Sequence, residues 1–266
     1  MTKARENSDY TGLQGDLALK SPVASPVFTG NVGIGVTPES WLSTYKALQI
    51  GAGGCVTGSN DNSFVSLNGN AYADSANSRY EYINSAYASQ YQQYDGTHNF
   101  LVAPSGSADA AISWNTAMTI DNAGYVTKPL QPAFCSIASV QSNMALNSWQ
   151  QIAFVNERFD QNDDFASSTF TAPVTGKYQL QVDVRLDQVD SAATYYQVRI
   201  ATSNRAYHTI CDMGRMSSDL SYWNFNLSVL ADMDAGDTCV IEFIQANGTQ
   251  QTDVDGESYF SGYLVC

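Results

Sequence analysis

The sequence predicts an all-β protein, and three observations support this prediction. Tyr, Gly, Ser, Asn, Thr and Val are plentiful, whereas Lys and Glu, which build helix surfaces, are scarce. Residues 178–186 read Tyr-Gln-Leu-Gln-Val-Asp-Val-Arg-Leu, so alternate apolar side chains would share one face of a strand. Turn sequences such as Asp95-Gly96 and Pro104-Ser-Gly106 separate the short apolar runs.

The composition also narrows the classes of function. The 266-residue chain has a formal net charge of −14, and an acidic surface repels phosphate backbones, which argues against nucleic acid as a partner. No apolar run is long enough to cross a bilayer, and the polar residues 1–10 lack the apolar segment of a signal peptide. We therefore expect a soluble protein made in a cytoplasm, without membrane insertion.

Residues that carry catalysis or bind zinc are sparse. The two histidines, His98 and His208, lie in different halves, and no Gly-x-Ser-x-Gly sequence supplies a nucleophile. Five cysteines are widely spaced without a Cys-x-x-Cys pair, so we expect free, mostly buried thiols and no zinc site. The acidic pairs near residues 163 and 232–237 fall in predicted turns. We expect no enzymatic activity.

Residues 1–35 are predicted to form an extended N-terminal segment, because Pro22 and Pro26 forbid a helix. From Lys20 to Gly30 the chain reads Lys-Ser-Pro-Val-Ala-Ser-Pro-Val-Phe-Thr-Gly. This sequence resembles a segment of bacteriophage tail fibres that precedes a strand-rich shaft or knob. The resemblance implies that the segment attaches the protein to a tail or baseplate protein of the virion and winds three chains together.

Residues 36–128 are predicted to form a β-rich knob or shaft domain of short strands. The predicted strands are 64–67, 79–83, 88–94, 99–103, 111–114 and 117–120. Asn70-Ala-Tyr72 and Met118-Thr-Ile-Asp-Asn-Ala-Gly124 resemble sequences in a knob of the same tail fibres. The resemblance covers most of this block.

Two interpretations fit the start of this domain. Trp41, Tyr45 and Leu48 have nearly helical spacing, and Ser40 could cap one or two helical turns. Alternatively, residues 47–50 form a first strand before a glycine-rich turn. The sequence leaves both open.

The prolines of Lys128-Pro-Leu-Gln-Pro132 mark the start of a C-terminal domain, residues 129–266. Its apolar pattern predicts a sandwich of ten strands. These are 133–140, 151–154, a short run near residue 164, 168–172, 177–186, 195–202, 207–212, 222–230, 238–246 and 259–265.

This half resembles C1q-like (TNF-like) heads. The residues that carry the resemblance are Phe170, Gly176, Tyr178, Leu230, Gly236-Asp237 and the ending Tyr259-Phe-Ser-Gly-Tyr-Leu-Val-Cys266. The resemblance implies a jelly-roll fold that works as a homotrimer. Three copies of Cys266 could approach one another in such a trimer, although we expect no interchain disulfide.

Jelly-roll topology predicts which loops form the tip of this domain. The last strand must end near the point where the chain enters the domain, so its start lies at the far apex, with loops 187–193, 213–221 and 247–258. A threefold axis would gather their carboxylates, which repel unless they are splayed, protonated or bridged by a cation. Because C1q-like heads sometimes hold calcium near this end, Asp253 and Asp255 are candidate calcium ligands. Simple solvated turns are the alternative, which we favour.

Amide and aromatic side chains on these loops are typical of surfaces that bind sugars or proteins. Strand alternation would, however, divide Tyr222 and Trp223 between surface and core. The predicted receptor-binding residues are Asp187, Asp190, Ser218, Asp219, Tyr222, Trp223, Asn247, Gln250, Asp253 and Glu257.

The residues and resemblances together indicate a trimeric phage tail fibre or tail-tip protein. It would reside in the virion after synthesis in the host cytoplasm, and its C-terminal head would recognise a host-surface glycan or protein. The first alternative is a head fibre that decorates the virion without binding a receptor. The second is a polysaccharide-cleaving fibre, which would need two acids across a sugar groove, usually on a longer β-helix.

Overall fold

The computed structural model describes residues 28–60, 63–214 and 216–266. These residues form 22 strands and no helix, so the all-β prediction is confirmed. They fall into two compact units, the first ending at Lys128 and the second spanning Pro129–Cys266. The predicted attachment segment lies outside the described residues up to position 27. Among the described residues, no helix is long and apolar enough to span a membrane.

The first unit contains ten strands. They are β1 (Val32–Ile34), β2 (Tyr45–Ile50), β3 (Gly54–Ser59), β4 (Phe64–Gly69), β5 (Ala71–Asp74), β6 (Arg79–Tyr82), β7 (Ala86–Tyr94), β8 (Thr97–Gly106), β9 (Asn115–Ile120) and β10 (Val126–Thr127). Eight of them form one sheet in the order β1-β2-β3-β4-β7-β8-β9-β10, and β5 pairs with β6 as a separate hairpin. Only β1 and β2 are parallel within the sheet, since its other neighbours are antiparallel.

The hairpin β5–β6 covers one face of this sheet. Two small buried clusters join them. The first cluster contains Trp41, Ala47, Cys55, Tyr72 and Ala73. The second contains Ala71, Tyr82, Ala88 and Ala103. The same face of the sheet carries Thr57, Ser66, Asn68 and Gln90, all almost fully buried. The inner side of the first unit is therefore partly polar.

In this unit the structure decides between the two interpretations at Trp41 and contradicts one predicted strand. No helical turn forms at Trp41, because its ring is buried against Tyr72 at 6.1 Å between ring centroids and its backbone bridges to Asp74. Tertiary packing overrides the helical spacing there, and the alternative strand is present as β2. Residues 111–114 form no strand, since only Ala111 makes a bridge, to Glu81.

The second unit contains twelve strands. They are β11 (Ala133–Ala138), β12 (Gln150–Gln151), β13 (Phe154–Asp160), β14 (Phe165–Ala166), β15 (Thr169–Thr171), β16 (Gly176–Val189), β17 (Tyr195–Thr202), β18 (Ala206–Asp212), β19 (Leu220–Met233), β20 (Thr238–Ala246), β21 (Asp253–Val254) and β22 (Tyr259–Leu264). One sheet has the order β13-β11-β22-β16-β19, with β21 on β16. The other has the order β14-β15-β20-β17-β18, with β12 on β20.

The two sheets of the second unit pack as a jelly-roll sandwich around one large apolar core. The predicted inward face of β16 is confirmed, because Tyr178, Leu180, Val182, Val184 and Leu186 are fully buried. They join the buried side chains of β17 and β20 in that core.

Aromatic rings fill the core near the last strand. The ring centroids of Phe165, Phe170 and Phe260 lie 4.9, 4.7 and 4.9 Å from that of Phe134. A Cβ atom on Gly262 would lie only 2.8 Å from both Leu180 and Phe134. The Ser-Gly-Tyr sequence of β22 therefore reflects close packing.

Two differences explain why this unit has twelve strands and not the predicted ten. The predicted strand 151–154 is divided into β12 and β13, which belong to different sheets. The chain crosses between the sheets at Ile152, which is fully buried and donates its backbone N–H to Ile241 at 2.9 Å. The short strand β21, within the loop before β22, was not predicted.

The cysteines of the described residues are all free. Cys55 and Cys239 are buried and Cys266 is exposed, with Cys135 and Cys211 between these extremes. Burial raises the pKa of Cys55 to about 12, so this thiol stays protonated and unreactive at neutral pH.

Candidate functional site

Four loops of the second unit meet at one end of the sandwich, and we call them the apical loops. They are residues 139–149, 190–194, 213–214 with 216–219, and 247–258, of which the last contains β21. Strand register fixes their position. At the end of β16 where the chain enters the unit, Tyr178 pairs with Leu264 of β22, a strand that also pairs with β11 at Ala133. At the opposite, apical end of β16, Val189 pairs with Leu220. The 14 residues of β16 separate the two ends by roughly 40 Å.

Asp190 braces the apical loops from inside. It is 3% exposed, and its carboxylate accepts hydrogen bonds from the backbone N–H groups of Ala192, at 2.7 Å, and Thr249. Its own N–H donates to the hydroxyl of Tyr196 at 2.8 Å. The prediction of Asp190 as a receptor contact is corrected, because a carboxylate with this burial and these partners is not available to another molecule.

Asp219 joins two apical loops at the surface. Its carboxylate accepts hydrogen bonds from the N–H and hydroxyl of Ser191, at 2.9 and 2.7 Å, and from the amide of Gln251 at 3.1 Å. These hydrogen bonds, led by the one from the Ser191 N–H, lower the pKa of Asp219. The side chain is therefore an exposed, firmly ionised acid held in a fixed position.

A charged cluster lies beside these loops on the solvent face of β16. Arg185 Nη2 is 2.8 Å from Asp255 Oδ2, and Arg185 Nε is 3.8 Å from Asp187 Oδ1. The guanidinium carbon also lies 5.3 Å from the centroid of the Tyr222 ring. Burial raises the pKa of Asp187, and the neighbouring Asp255 raises it further, while Arg185 opposes both effects.

The predicted calcium ligands already have partners in the single chain. Asp253 accepts hydrogen bonds from the Asn143 N–H at 2.7 Å and from the Gln188 amide at 2.9 Å. Asp255 holds Arg185 and also accepts the Glu257 N–H at 2.7 Å. Among the described residues, no group of three or more His, Cys, Asp or Glu side chains could hold a metal ion. A cation bound by Asp255 would have to displace Arg185, and a calcium site formed between copies of the chain stays a prediction.

Tyr222 and Trp223 are divided by strand alternation. Tyr222 is 61% exposed, whereas Trp223 points inward, packs against the core and makes an edge contact with Phe225 at 6.5 Å between centroids. The prediction of Trp223 as a receptor contact is therefore corrected. The tip presents one aromatic ring of this pair to solvent.

The remaining predicted contact residues are exposed at the tip. They are Ser218, Asn247, Gln250 and Glu257. Asn247 has a φ of 63°, in the left-handed region, and its side-chain amide donates to the Thr194 hydroxyl at 2.9 Å. Gln250 donates to the carbonyl of Asn143 at 2.7 Å. Asn247 and Gln250 are thus anchored to neighbouring loops.

Sequence reasoning missed three contributors to this surface. Arg185 could have been found, because it stands two residues before Asp187 on the polar side of the alternating run in β16. Ser191 and Asn143 gave no such signal, because each contacts an acid that is distant in sequence. Ser191 binds Asp219, which is 28 positions later, and Asn143 binds Asp253, which is 110 positions later. The loop 139–149 was consequently not recognised as part of the tip.

The carboxylates of the tip are held by hydrogen bonds and an ion pair. Asp190 and Asp219 accept backbone N–H groups, Asp253 accepts an amide, and Asp255 pairs with Arg185. The two histidines lie elsewhere, where His98 Nδ1 is 2.6 Å from the Tyr91 hydroxyl and His208 Nδ1 is 3.0 Å from the Gln197 amide. Neither arrangement pairs a base with a nucleophilic Ser or Cys.

Comparison with known proteins concerns the second unit. A model of the C1q domain family matches residues 133–265, which is half of the chain. The globular domain of zebrafish complement 1qA protein is similar at 20% identity, over 51% of this chain and 98% of that chain, with a TM-score of 0.38. Murine APRIL in its crystal structure at pH 8.0 is similar at 10% identity, over 51% and 99%, with a TM-score of 0.39.

No curated protein sequence matches the chain. The family match begins at the first residue of β11 and ends one residue after β22, so it covers every strand of the sandwich. Through this second unit, the chain belongs to the C1q domain family.

Proposed function

We propose that this chain is a trimeric receptor-binding fibre protein of a bacteriophage, in which the C1q head contacts the host cell. One observation carries the proposal: hydrogen bonds fix the apical loops to one another, yet Ser218, Gln250 and Glu257 in these loops and Tyr222 beside them in β19 are exposed. A fixed, polar surface with an exposed aromatic ring can bind a glycan or a protein without ordering its loops first.

The assignment to a phage fibre rests on the sequence from Lys20 to Gly30 and on the likeness of the 36–128 block to fibre knobs. In this proposal the N-terminal segment attaches to a tail or baseplate protein of the virion. The head then lies at the free end. Adhesion comes from weak contacts at each tip, multiplied by three chains and by several fibres.

One face of the head supports the trimer. Phe159, Leu230 and Tyr263 are each more than half exposed, and all three lie on the solvent side of the sheet β13-β11-β22-β16-β19. Apolar side chains exposed together near one end of a sheet favour association. We propose that copies of the head meet through this band, which leaves the apical loops free.

The function is tested by competition. Purified protein should block adsorption of the phage that carries it, and Tyr222→Ala combined with Gln250→Ala should weaken the block at least tenfold. The matched control is Tyr87→Ala, which removes a ring that is 75% exposed in the first unit and should leave the block unchanged.

Three results would contradict the proposal. Stoichiometric incorporation into virions with no effect on adsorption would indicate a decoration fibre. Release of reducing sugars from host envelopes would indicate a polysaccharide-cleaving fibre. A monomer in light scattering would contradict the trimer, for which the variant Tyr263→Arg should lower the association constant at least tenfold.

A further inference from the structure

The side of the first unit's sheet that faces away from hairpin β5–β6 is apolar, and we call it the outer apolar face. Its centre is a row that crosses six strands: Leu48, Val56, Leu67, Tyr91, Phe100 and Met118 are directly paired, each with the next. The rings of Tyr91 and Phe100 lie 4.9 Å apart. Since paired residues point to the same side of a sheet, the row is continuous.

This face is exposed. Six of its aliphatic and aromatic residues, from β2, β3, β4 and β8, are between 38% and 57% exposed; they are Ile50, Val56, Val65, Leu67, Phe100 and Val102. Together they expose on the order of 500 Å² of apolar surface, at the upper end of the largest patch found on a typical monomer. Ile34 of β1 and Val126 of β10 continue the face and bring the exposed apolar area to roughly 700 Å², of the same order as the roughly 800 Å² that each partner buries in a stable interface.

The unit places polar groups on its covered side instead. The Gln90 amide donates to Asn68 at 2.6 Å, and the Asn68 amide donates to Ser66 at 3.0 Å and to Thr57 at 3.2 Å. Most of the large aliphatic side chains of the sheet therefore point the other way. A sheet whose outer side meets only water carries its polar side chains on that side and its apolar side chains on the covered side, which is the opposite of what is seen here.

The charge of the face identifies its occupant. None of the residues of β2, β3, β4, β7 and β8 that point to this side is acidic, although the whole chain carries a net charge of −14. Two copies of an acidic protein repel each other over most of their surfaces. On these strands the face carries no carboxylate and one charged side chain, Lys46, so it lacks the acidic charge that would oppose contact between copies. Twisted sheets also pack face to face through rows of Val, Leu and Phe.

We propose that the outer apolar face is a self-association surface, which is covered by the same face of other copies of this chain. This inference rests on the proposed function only for the number of copies. In a trimer, three such faces would line the common axis. Association would then be built into both units, through different sheets.

Site-specific photocrosslinking of the full chain tests this inference. A photoreactive phenylalanine derivative replaces Leu67 or Phe100, and equal amounts of chain labelled with ¹⁴N and ¹⁵N are mixed, dissociated and reassembled. We expect crosslinks between chains that join these positions to peptides of β2, β4 or β8. The matched control is the same substitution at Ile210, which is 62% exposed in the second unit and should give none of these crosslinks.

The outcomes separate this inference from the fibre proposal. A trimer in light scattering that lacks these crosslinks overturns the inference alone. Crosslinks within one chain, to residues 1–27 or to the second unit, or sedimentation with phosphatidylglycerol vesicles without crosslinks, also overturn it. A monomer overturns both proposals.

A charge substitution gives a second measurement. The Leu67 side chain points away from the buried clusters, so Leu67→Glu should fold, with unchanged fluorescence from the buried Trp41. We expect the association constant of the full chain to fall at least tenfold, whereas Leu67→Met should leave it within twofold. Equal association constants for Leu67→Glu and Leu67→Met would overturn the inference.

Discussion

The two units of this chain use their sheets in opposite ways. In the second unit, the alternating apolar residues of β16 are fully buried between two sheets, and polar side chains face solvent. In the first unit, Thr57, Asn68 and Gln90 lie on the covered side, whereas Val56, Leu67 and Phe100 face outward. The comparison teaches that alternation fixes which residues share a face and leaves open which face becomes the core.

The largest expected effect tests how far the second unit depends on its core. Phe260→Ala should lower the free energy of unfolding of this unit by about 3–5 kcal/mol, since the ring is fully buried against Phe134, Phe154 and Phe165. Chemical denaturation measures the change. Val140→Ala, at a side chain that is 65% exposed, is the control and should cost less than about 0.5 kcal/mol. Similar losses for the two variants would contradict a single packed core.

The second-largest expected effect is a loss of stability when the polar interior of the first unit is disrupted. Asn68→Ala should destabilise this unit by about 2 kcal/mol, because it removes the acceptor of the buried Gln90 amide and one hydrogen bond each from Thr57 and Ser66, which keep only their bond to each other. Thermal unfolding followed by Trp fluorescence measures the loss. Ser89→Ala, on the outer side of the same sheet, should be nearly neutral. A loss as small as that of Ser89→Ala would mean that the polar network does not hold the unit together.

A smaller and more local effect is expected at the tip of the second unit. Asp190→Ala should open the apical loops at a cost of about 1–2 kcal/mol, because the N–H groups of Ala192 and Thr249 lose their acceptor. Hydrogen exchange of these two amides should accelerate at least tenfold. Asp190→Asn retains one acceptor oxygen and should show an intermediate rate. Unchanged exchange in Asp190→Ala would show that other contacts brace the loops.

The smallest effect depends on pH. The folded protein raises the pKa of Asp187, so its ionisation destabilises the native state as the pH rises from the unfolded pKa, about 3.9, through the raised value. Asp187→Asn removes this penalty. The variant should be more stable than the wild type at pH 7, by no more than about 1 kcal/mol because water reaches the site, and equally stable below about pH 3.

Thermal unfolding of wild type and Asp187→Asn across this pH range checks the sign. A variant that is less stable at pH 7 would show that attraction to Arg185 outweighs burial and the repulsion from Asp255. Asp219 offers a comparison of opposite sign, since its lowered pKa means that the native state loses stability as the pH falls.

Much of the second unit could be predicted because its signals are local. Alternation identified the buried face of β16, and the family resemblance identified the strand β22 with its tightly packed Gly262. The burial of Asp190 could not be predicted, because its acceptor role depends on an amide 59 residues away. Trp41 was ambiguous for the same reason, since a ring packed against Tyr72 decides its conformation.

The central position of β22 has a consequence for synthesis of the protein. This strand lies between β11 and β16, so it completes a sheet whose first strand was made more than a hundred residues earlier. While the chain is being made, β11 and β16 have a gap between them and expose unpaired backbone groups. The head therefore closes only after residues 259–264 have emerged, and a chain that stops before them leaves two open edges prone to aggregation.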